Sequence, residues 1–201
     1  AVQVGMPVTL EMFAAYPEDP LLVALVTAPG GPDEPIDPRK LRKVGILARV
    51  SDRLNLPGGS VQATVQGLRR IRITDVSEED GHYIASIRRV REIGVNAEEN
   101  EDHIARILVT LEALADEVER VSREVPRILR MNVADASRFA DLVATLTNFS
   151  AASKDTVLQR LDVRKRLCYI QDELEAQLRR ARQVAAEAET ARMVSEKTAA
   201  A

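Results

Sequence analysis

Cysteine and histidine, which often act as nucleophiles, general bases or metal ligands, are rare in this 201-residue chain: it has one cysteine and two histidines. Cys168 is the only cysteine, and because no histidine lies near it in the sequence, we expect a packed thiol rather than a nucleophile. His82 and His103 lie 21 residues apart without further ligands at the spacing of a metal site, and we expect both on the surface. The residues therefore predict neither a catalytic site nor a metal site.

The glycine pairs at positions 30–31 and 58–59 raise the question of a phosphate-binding loop. A P-loop requires Gly-x-x-x-x-Gly-Lys-Ser/Thr, because its backbone N–H groups and its lysine hold the phosphates together. Neither glycine pair is followed by Gly-Lys. We therefore expect no nucleotide site and no cofactor in this chain.

Six arginines on two neighbouring strand-like segments could form a basic patch. They are Arg69, Arg70, Arg72, Arg88, Arg89 and Arg91. Acidic residues lie nearby at 78–80 and 92, the formal net charge is -3, and aromatic residues, which stack on RNA bases, make up 3%. We therefore expect that nucleic-acid binding is not the main role, and an RNA-binding module stays open as an alternative.

Capture of unfolded polypeptide requires exposed apolar side chains on a stable scaffold. The candidates for this role are Met12, Phe13 and Tyr16, near the start of the chain, and Leu54 and Leu56, beside the turn at 57–60. Methionine and aromatic side chains suit variable partners. The competing interpretation is that these five residues close the ends of a β-barrel.

The first half of the chain is rich in turns, since all nine glycines lie at or before Gly94 and eight of the nine prolines at or before Pro57. Between the turns, short segments rich in Val, Ile and Thr predict β-strands. These segments are Leu21–Val26, Val44–Val50, Val61–Val65, Leu68–Val76 and Tyr83–Ile93. Short strands at close spacing favour a small antiparallel barrel or sandwich over residues 1–96.

Residues 97–201 have the three-and-four apolar spacing of amphipathic helices. We predict a helix over Glu98–Glu124 that Pro126 ends, a helix over Asp135–Thr147, and one helix from an N-cap at Ser153 to the end of the chain. Along that last helix the apolar stripe changes from Leu and Ile to Ala, and so loses most of its burial energy. We expect the distal part to project as an arm through which chains self-associate.

Four stretches, in order along nearly the whole chain, resemble the N-terminal region of Lon, the ATP-dependent protease. Residues 5–10 (GMPVTL) are similar to the family's opening motif, and residues 65–73 (VQGLRRIRI) to its VEG-x-x-R-x-x-I motif. The third stretch is residues 44–50 with 56–59 (VGILARV, LPGG). The fourth is residues 139–144 with 158–167 (FADLVA, LQRLDVRKRL). Asp33–Leu41 departs from the family pattern, and Glu98–Val121 matches no motif.

The resemblance implies an α+β chain: a PUA-like antiparallel β-barrel, an α-helical bundle, and one long C-terminal helix that leads to an ATPase outside this chain. It also implies a segment that recognises unfolded or misfolded proteins within a homohexameric serine endopeptidase, whose ATP, Mg and protease site belong to other domains. A stand-alone Lon-domain adaptor without an ATPase is the other alternative.

No apolar run approaches the roughly 20 residues of a membrane helix, and no basic-then-apolar signal peptide opens the chain. The single cysteine fits a reducing compartment. We therefore expect a cytoplasmic protein with no membrane partner. Because the chain begins at Ala1 and ends on alanines within a helical pattern, we expect a piece of a larger protein.

Overall fold

The computed structural model describes residues 1–30, 34, 36–118 and 121–199, with the backbone alone for 193–199. The chain divides into two compact units, Ala1–Arg91 and Glu92–Ala201. The sequence patterns predict a division between residues 96 and 97. The first unit contains an antiparallel sheet and one helix, and the second unit is helical.

The first unit is built on a five-stranded sheet with neighbours in the order β1-β4-β3-β2, and β5 pairs with β4. Its elements are β1 (Val2–Val4), α1 (Pro7–Ala15), β2 (Leu21–Leu25), β3 (Val44–Asn55), β4 (Val61–Glu79) and β5 (His82–Arg89). Every strand pair is antiparallel. Alternate residues of β3 and β4, among them Ala48, Val50, Ala63, Ile71 and Ile73, are buried and form the core of the sheet.

The strand β4 replaces two predicted strands, Val61–Val65 and Leu68–Val76. Gly67 pairs with Ala48 and Arg69 with Leu47, so Leu68 is an extra residue between two ladder positions. Such a bulge bends a strand without ending it. The prediction of two strands is therefore wrong, because one strand continues through the irregularity and pairs first with β3 and then with β5.

The helix α1 lies in a stretch over which the sequence patterns predict no regular element. Pro7 occupies its first turn, where a missing N–H group leaves no hydrogen bond unmade. The backbone N–H groups of Thr9 and Leu10 donate to the carbonyl oxygen of Met6, at 3.0 and 3.1 Å. The helix ends at Ala15, and the N–H of the next residue, Tyr16, donates to the carbonyl oxygen of Met12.

The aromatic ring of Tyr16 contacts His82 at the start of β5, with the ring centres 5.4 Å apart and the planes at 87°. His82 is 4% exposed. Its expected place on the surface is therefore wrong, because α1 packs over the beginning of β5 and covers the imidazole. Nδ1 of His82 lies 3.4 Å from the carbonyl oxygen of Asp80, which gives the buried ring a polar partner.

The second unit consists of α2 (Glu101–Glu117), α3 (Glu124–Arg130), α4 (Ala136–Leu146), α5 (Ala151–Gln159) and α6 (Val163–Ala199). Their apolar faces enclose one core. Leu111, Leu129, Phe139, Leu167 and Leu174, from four of these helices, are each 0% exposed. The predicted α+β class, with an antiparallel sheet and a long final helix, is confirmed.

Two predicted helix boundaries in this unit are wrong. The helix predicted to continue to Glu124 ends at Glu117, because Val118 is extended (φ -130°, ψ 106°). Pro126 does not end that helix: it lies in the first turn of α3, where proline is tolerated.

The single helix predicted from Ser153 is in fact two helices, α5 and α6. The N-cap of α5 is Ser150 and not Ser153, because the hydroxyl of Ser150 accepts a hydrogen bond from the N–H of Ser153 at 3.0 Å. The break comes from a tertiary contact. Ile93 forms a β-bridge with Asp162. The backbone N–H of Ile93 donates to the carbonyl oxygen of Leu161 at 3.1 Å, and its carbonyl oxygen accepts from the N–H of Val163 at 2.9 Å. These bonds hold the linking residues in an extended conformation that a helix cannot continue through.

At about 1.5 Å per residue, the 37 residues of α6 extend roughly 55 Å. Its first half contributes to the core as far as Leu178, and residues 182–192 are exposed to solvent. Among the described residues, no helix combines the length and the apolar character needed to cross a membrane.

Candidate functional site

A cleft of about 440 Å³ lies in the first unit, between α1, the segment that connects α1 to β2, and the β3–β4 hairpin. It is lined by Leu10, Phe13, Ala14, Pro17, Asp19, Arg53, Asn55, Gly59 and Val61. The α1 side of the cleft is apolar and aromatic, and the opposite side carries charged and amide groups. No lining residue is a Ser, Cys, His or Lys, and the ionisable side chains of the lining are those of Asp19 and Arg53.

Arg53 on β3 holds one wall of the cleft in place. One guanidinium nitrogen donates to the carbonyl oxygens of Phe13, at 3.4 Å, and Tyr16, at 2.8 Å. The other donates to Pro17, at 2.8 Å, and to Glu18. The guanidinium also lies 5.4 Å from the centre of the Phe13 ring, within the range of a cation–π contact. One side chain therefore satisfies four carbonyl groups and orients the phenyl ring.

A second contact fixes the end of the same connecting segment. The carboxylate of Asp19 accepts from the backbone N–H of Asp52 at 3.2 Å. Asp52 adopts a left-handed backbone conformation (φ 53°), which few non-glycine residues adopt. It lies at an irregularity between Ser51 and Leu54 in the pairing of β3 with β4. The irregularity thus turns a backbone donor toward Asp19 and ties the start of β2 to the hairpin.

The five predicted binding residues lie around this cleft in different ways. Phe13 is half-buried and lines it, whereas Met12 is half-buried on α1 outside the lining. Tyr16 is 37% exposed and contacts His82. Leu54 is 60% exposed, and because Arg53 and Asn55 line the cleft, strand alternation turns Leu54 to the other face. Leu56 is half-buried, and its N–H closes the hairpin turn on Ser60 O at 2.8 Å.

No pattern in the sequence predicts the polar residues of the cleft, namely Arg53, Asp19 and Asn55. Arg53 and Asp19 are charged residues in turn-rich or strand-end segments, where charge is ordinary. What distinguishes Arg53 is its set of acceptors, which lie 35 to 40 residues away in the chain. A single sequence carries no local signal for such an interaction.

The structure brings Cys168 and His103 together in the second unit, although 65 residues separate them. The Cys168 sulfur lies 3.5 Å from Nε2 of His103, and Nδ1 of His103 lies 3.1 Å from the side-chain oxygen of Gln171. Neither side chain is fully exposed. The part of the chain that the structure describes adds no third His, Cys, Asp or Glu to form a metal site.

The arginines of β4 and β5 are partly arranged as the patch that the sequence suggests. Arg72 lies directly opposite Arg88, and both are exposed. Glu78 and Glu79 lie at the hairpin end of β4, about 20 Å along the strand from Arg72. The structure therefore separates these acidic side chains from the arginine pair.

A family model described as the ATP-dependent protease La (LON) substrate-binding domain matches residues 2–176. Lon protease of Escherichia coli (strain K12) is 27% identical over 165 residues, which are 82% of this chain and 21% of that protein. Lon protease of Clostridioides difficile (strain 630) is 29% identical over 129 residues, 62% of this chain and 16% of that protein. The chain thus spans about a fifth of the length of the curated relatives it matches.

Two solved structures share the fold. The N-terminal domain of Mycobacterium avium complex Lon protease superposes with a TM-score of 0.59 at 20% identity, covering 87% of this chain and 89% of that chain. The Lon N-terminal domain protein from Xanthomonas campestris gives a TM-score of 0.52 at 16% identity, covering 87% and 86%. With the family model matched across 2–176, it follows that the chain belongs to the Lon substrate-binding domain family.

Proposed function

We propose that this chain is the substrate-recognition and assembly segment of a Lon-type ATP-dependent serine protease. It binds unfolded or damaged cytoplasmic proteins and delivers them to an ATPase ring formed by other parts of the parent protein. The observation that carries the proposal is the match of residues 2–176 to a family described as substrate-binding. ATP, Mg and the peptidase site belong, in this proposal, to those other parts.

The cleft beside α1 supports recognition of unfolded chains. Its aromatic wall is held by Arg53, so the Phe13 ring is positioned before a ligand arrives. Met12, Tyr16 and Leu56 lie on the elements that border the cleft, and Leu54 adds exposed apolar surface on the other face of β3. We propose that Phe13 contacts an apolar side chain of the substrate and that the other four extend the contact to neighbouring substrate residues.

We propose that α6 carries the assembly role. Its exposed part, residues 182–192, has Val184 at 65% exposure within a region of mixed Arg, Glu and Ala. Alanine favours helix formation without requiring a buried face. A helix of this kind is suited to pair with the same helix of neighbouring chains in a homohexameric parent.

The binding proposal is tested with reduced, carboxymethylated α-lactalbumin as an unfolded probe and native α-lactalbumin as the folded one. We expect the chain to bind the unfolded probe, and to bind it about equally at low and high salt, since apolar capture releases few counterions. Fluorescence anisotropy of the labelled probe measures both. A steep loss of binding with salt, together with tighter binding of RNA, would instead favour the RNA-binding alternative.

The variant that tests the site combines Met12→Ser, Phe13→Ser and Leu56→Ser, and we expect it to bind the unfolded probe about tenfold more weakly. The matched control changes Val109→Ser and Met131→Ser, which are 64% and 74% exposed on the helical unit. Circular dichroism checks that both variants stay folded. Unchanged binding by the folded triple variant would show that the substrate contacts lie elsewhere.

A further inference from the structure

The strand β2 lies at one edge of the sheet, and β3 is its only partner among the described strands. In an antiparallel ladder, alternate residues direct their N–H and C=O groups away from the paired strand. Within the part of the chain that the structure describes, no other backbone group bonds to residues 21–25. The outer edge of β2 therefore carries backbone N–H and C=O groups that pair with no backbone group of the described residues.

This edge lacks the features that usually protect an edge strand. Such protection comes from charged side chains, from proline within the strand or from a bulge. The sequence of β2 is Leu-Leu-Val-Ala-Leu, and its five successive pairs with β3 show no register shift. Leu22 is 58% exposed and Leu25 is 43% exposed. The edge is thus regular, uncharged and apolar.

The edge is also held in position before any ligand binds. Arg53 bonds to the carbonyl groups of the segment that precedes β2, and Asp19 accepts from Asp52 just before the strand begins. Ordering a strand at the moment of binding costs conformational entropy. Because these contacts order the start of β2 in advance, a partner strand meets a preformed template.

We infer that the outer edge of β2 binds an extended, aliphatic-rich segment of an unfolded polypeptide as an added strand. This inference rests on the proposed function. Such a segment offers unpaired N–H and C=O groups for the ladder, and its apolar side chains cover Leu22 on one face of the sheet and Leu25 on the other. Main-chain pairing requires no particular sequence, and it therefore suits a domain of a substrate-binding family.

The test uses the full 201-residue chain and a pair of end-blocked peptides of alternating Val and Thr, flanked by Lys for solubility. The peptides are identical except that one is N-methylated at consecutive central residues, which removes backbone donors on both of its edges. We expect the unmethylated peptide to bind and the methylated peptide to bind at least about tenfold more weakly, since added strands are held by main-chain hydrogen bonds.

Two variants place a charge on the edge, Leu22→Lys and Leu25→Lys, and we expect each to weaken binding of the unmethylated peptide. The matched control is Leu68→Lys, because Leu68 is 42% exposed but lies on β4 inside the sheet. We expect this control to bind the peptide normally. Equal binding of both peptides, or an equal effect of Leu68→Lys, would overturn the inference.

Two further outcomes separate this inference from its alternatives. If the chain binds unfolded α-lactalbumin but not the unmethylated peptide, strand addition is wrong and the proposed function stands. If Leu25→Lys dissociates a dimer in sedimentation but leaves peptide binding unchanged, the edge pairs with a second copy of the chain and the inference is overturned.

Discussion

At the scale of single residues, Arg166 joins three segments of the helical unit. Its side chain is 0% exposed. Two of its guanidinium nitrogens donate to the carbonyl oxygen of Arg160, at 3.0 and 2.7 Å, and the third donates to the hydroxyl of Ser137 at 3.1 Å. It also forms ion pairs with Glu92 and Asp141. The buried guanidinium therefore joins Glu92 to α4 and to the link between α5 and α6.

Replacing this arginine by Arg166→Met removes the charge that compensates Glu92 and Asp141, and leaves the carbonyl of Arg160 without its donor. We expect the free energy of unfolding to fall by about 3 kcal/mol, the range found when one partner of a buried ion pair is removed. Urea titration followed by the helical circular dichroism signal measures the change.

The control for this prediction is Arg164→Met, an exposed position one half-turn away on the same helix. We expect it to alter stability by less than about 0.5 kcal/mol, as surface substitutions do. Equal stabilities of the two variants would contradict a structural role for Arg166.

At the scale of elements, the pairing of β2 with β3 depends on a glycine. A Cβ atom at Gly45 would lie 2.5 Å from the carbonyl oxygen of Leu25 and 3.2 Å from a methyl carbon of Val26. The carbonyl oxygen of Leu25 belongs to the backbone, so a change of side-chain rotamer cannot relieve this contact. Gly45 therefore permits the close approach of the two strands.

We expect Gly45→Ala to lower the free energy of unfolding by about 2 kcal/mol, in the range of overpacked sites. It should also weaken any binding that uses β2. Gly5→Ala is the control, since no atom lies within 4 Å of a Cβ atom at that position. Thermal melts of both variants check the prediction, and a normal melting temperature for Gly45→Ala would count against the described strand spacing.

The long helix α6 has two parts with different surroundings. Leu167, Ile170 and Leu174 are 0% exposed in the core, and Leu178 packs partly against it. Residues 182–192 are exposed, and Arg182 bonds to Glu117 at 3.3 Å. A helical segment with little buried surface has low local stability.

Deletion of residues 183–201 should therefore leave the melting temperature of the chain within about 2 °C of its original value, because little apolar surface is lost. It should weaken any self-association seen by sedimentation. Hydrogen exchange on the intact monomer provides the independent check. Protection after Val184 as strong as that at Ile170 would mean that the end of the helix is packed, and would refute the projecting arm.

At the scale of the whole molecule, the chain corresponds to about a fifth of its curated relatives and matches a substrate-binding family. Its sequence has no P-loop, and no Ser, Cys, His or Lys lines the cleft beside α1. We propose that catalysis takes place elsewhere in the parent protein.

We therefore expect the purified chain neither to release phosphate from ATP nor to cleave fluorescent casein. Phosphate release and casein fluorescence, measured beside a blank purification from cells without the protein, check both expectations. Turnover that a point mutation within the chain abolishes would be decisive against them.

Much of the fold can be predicted from patterns within short segments. The strands at Val44 and Val61 and the helix after Asp135 follow from alternation, helical spacing and capping, which are set by neighbouring residues. The helix α1 is missed because Pro7 precedes a short apolar stretch that fits either element. Of the cleft, the apolar residue Phe13 is predicted, and the choice among the five candidate binding residues remains a prediction.

By itself, the sequence determined the types of most elements, the turn-rich and helical halves, and the lack of a nucleotide-binding motif, since each depends on nearby residues. Only the tertiary structure decided the bulge at Leu68, the break before α6, the burial of His82 and the acceptors of Arg53. Each of these depends on a partner strand or segment, in most cases tens of residues away. Such contacts form only when the chain folds, so no pattern of neighbouring residues predicts them.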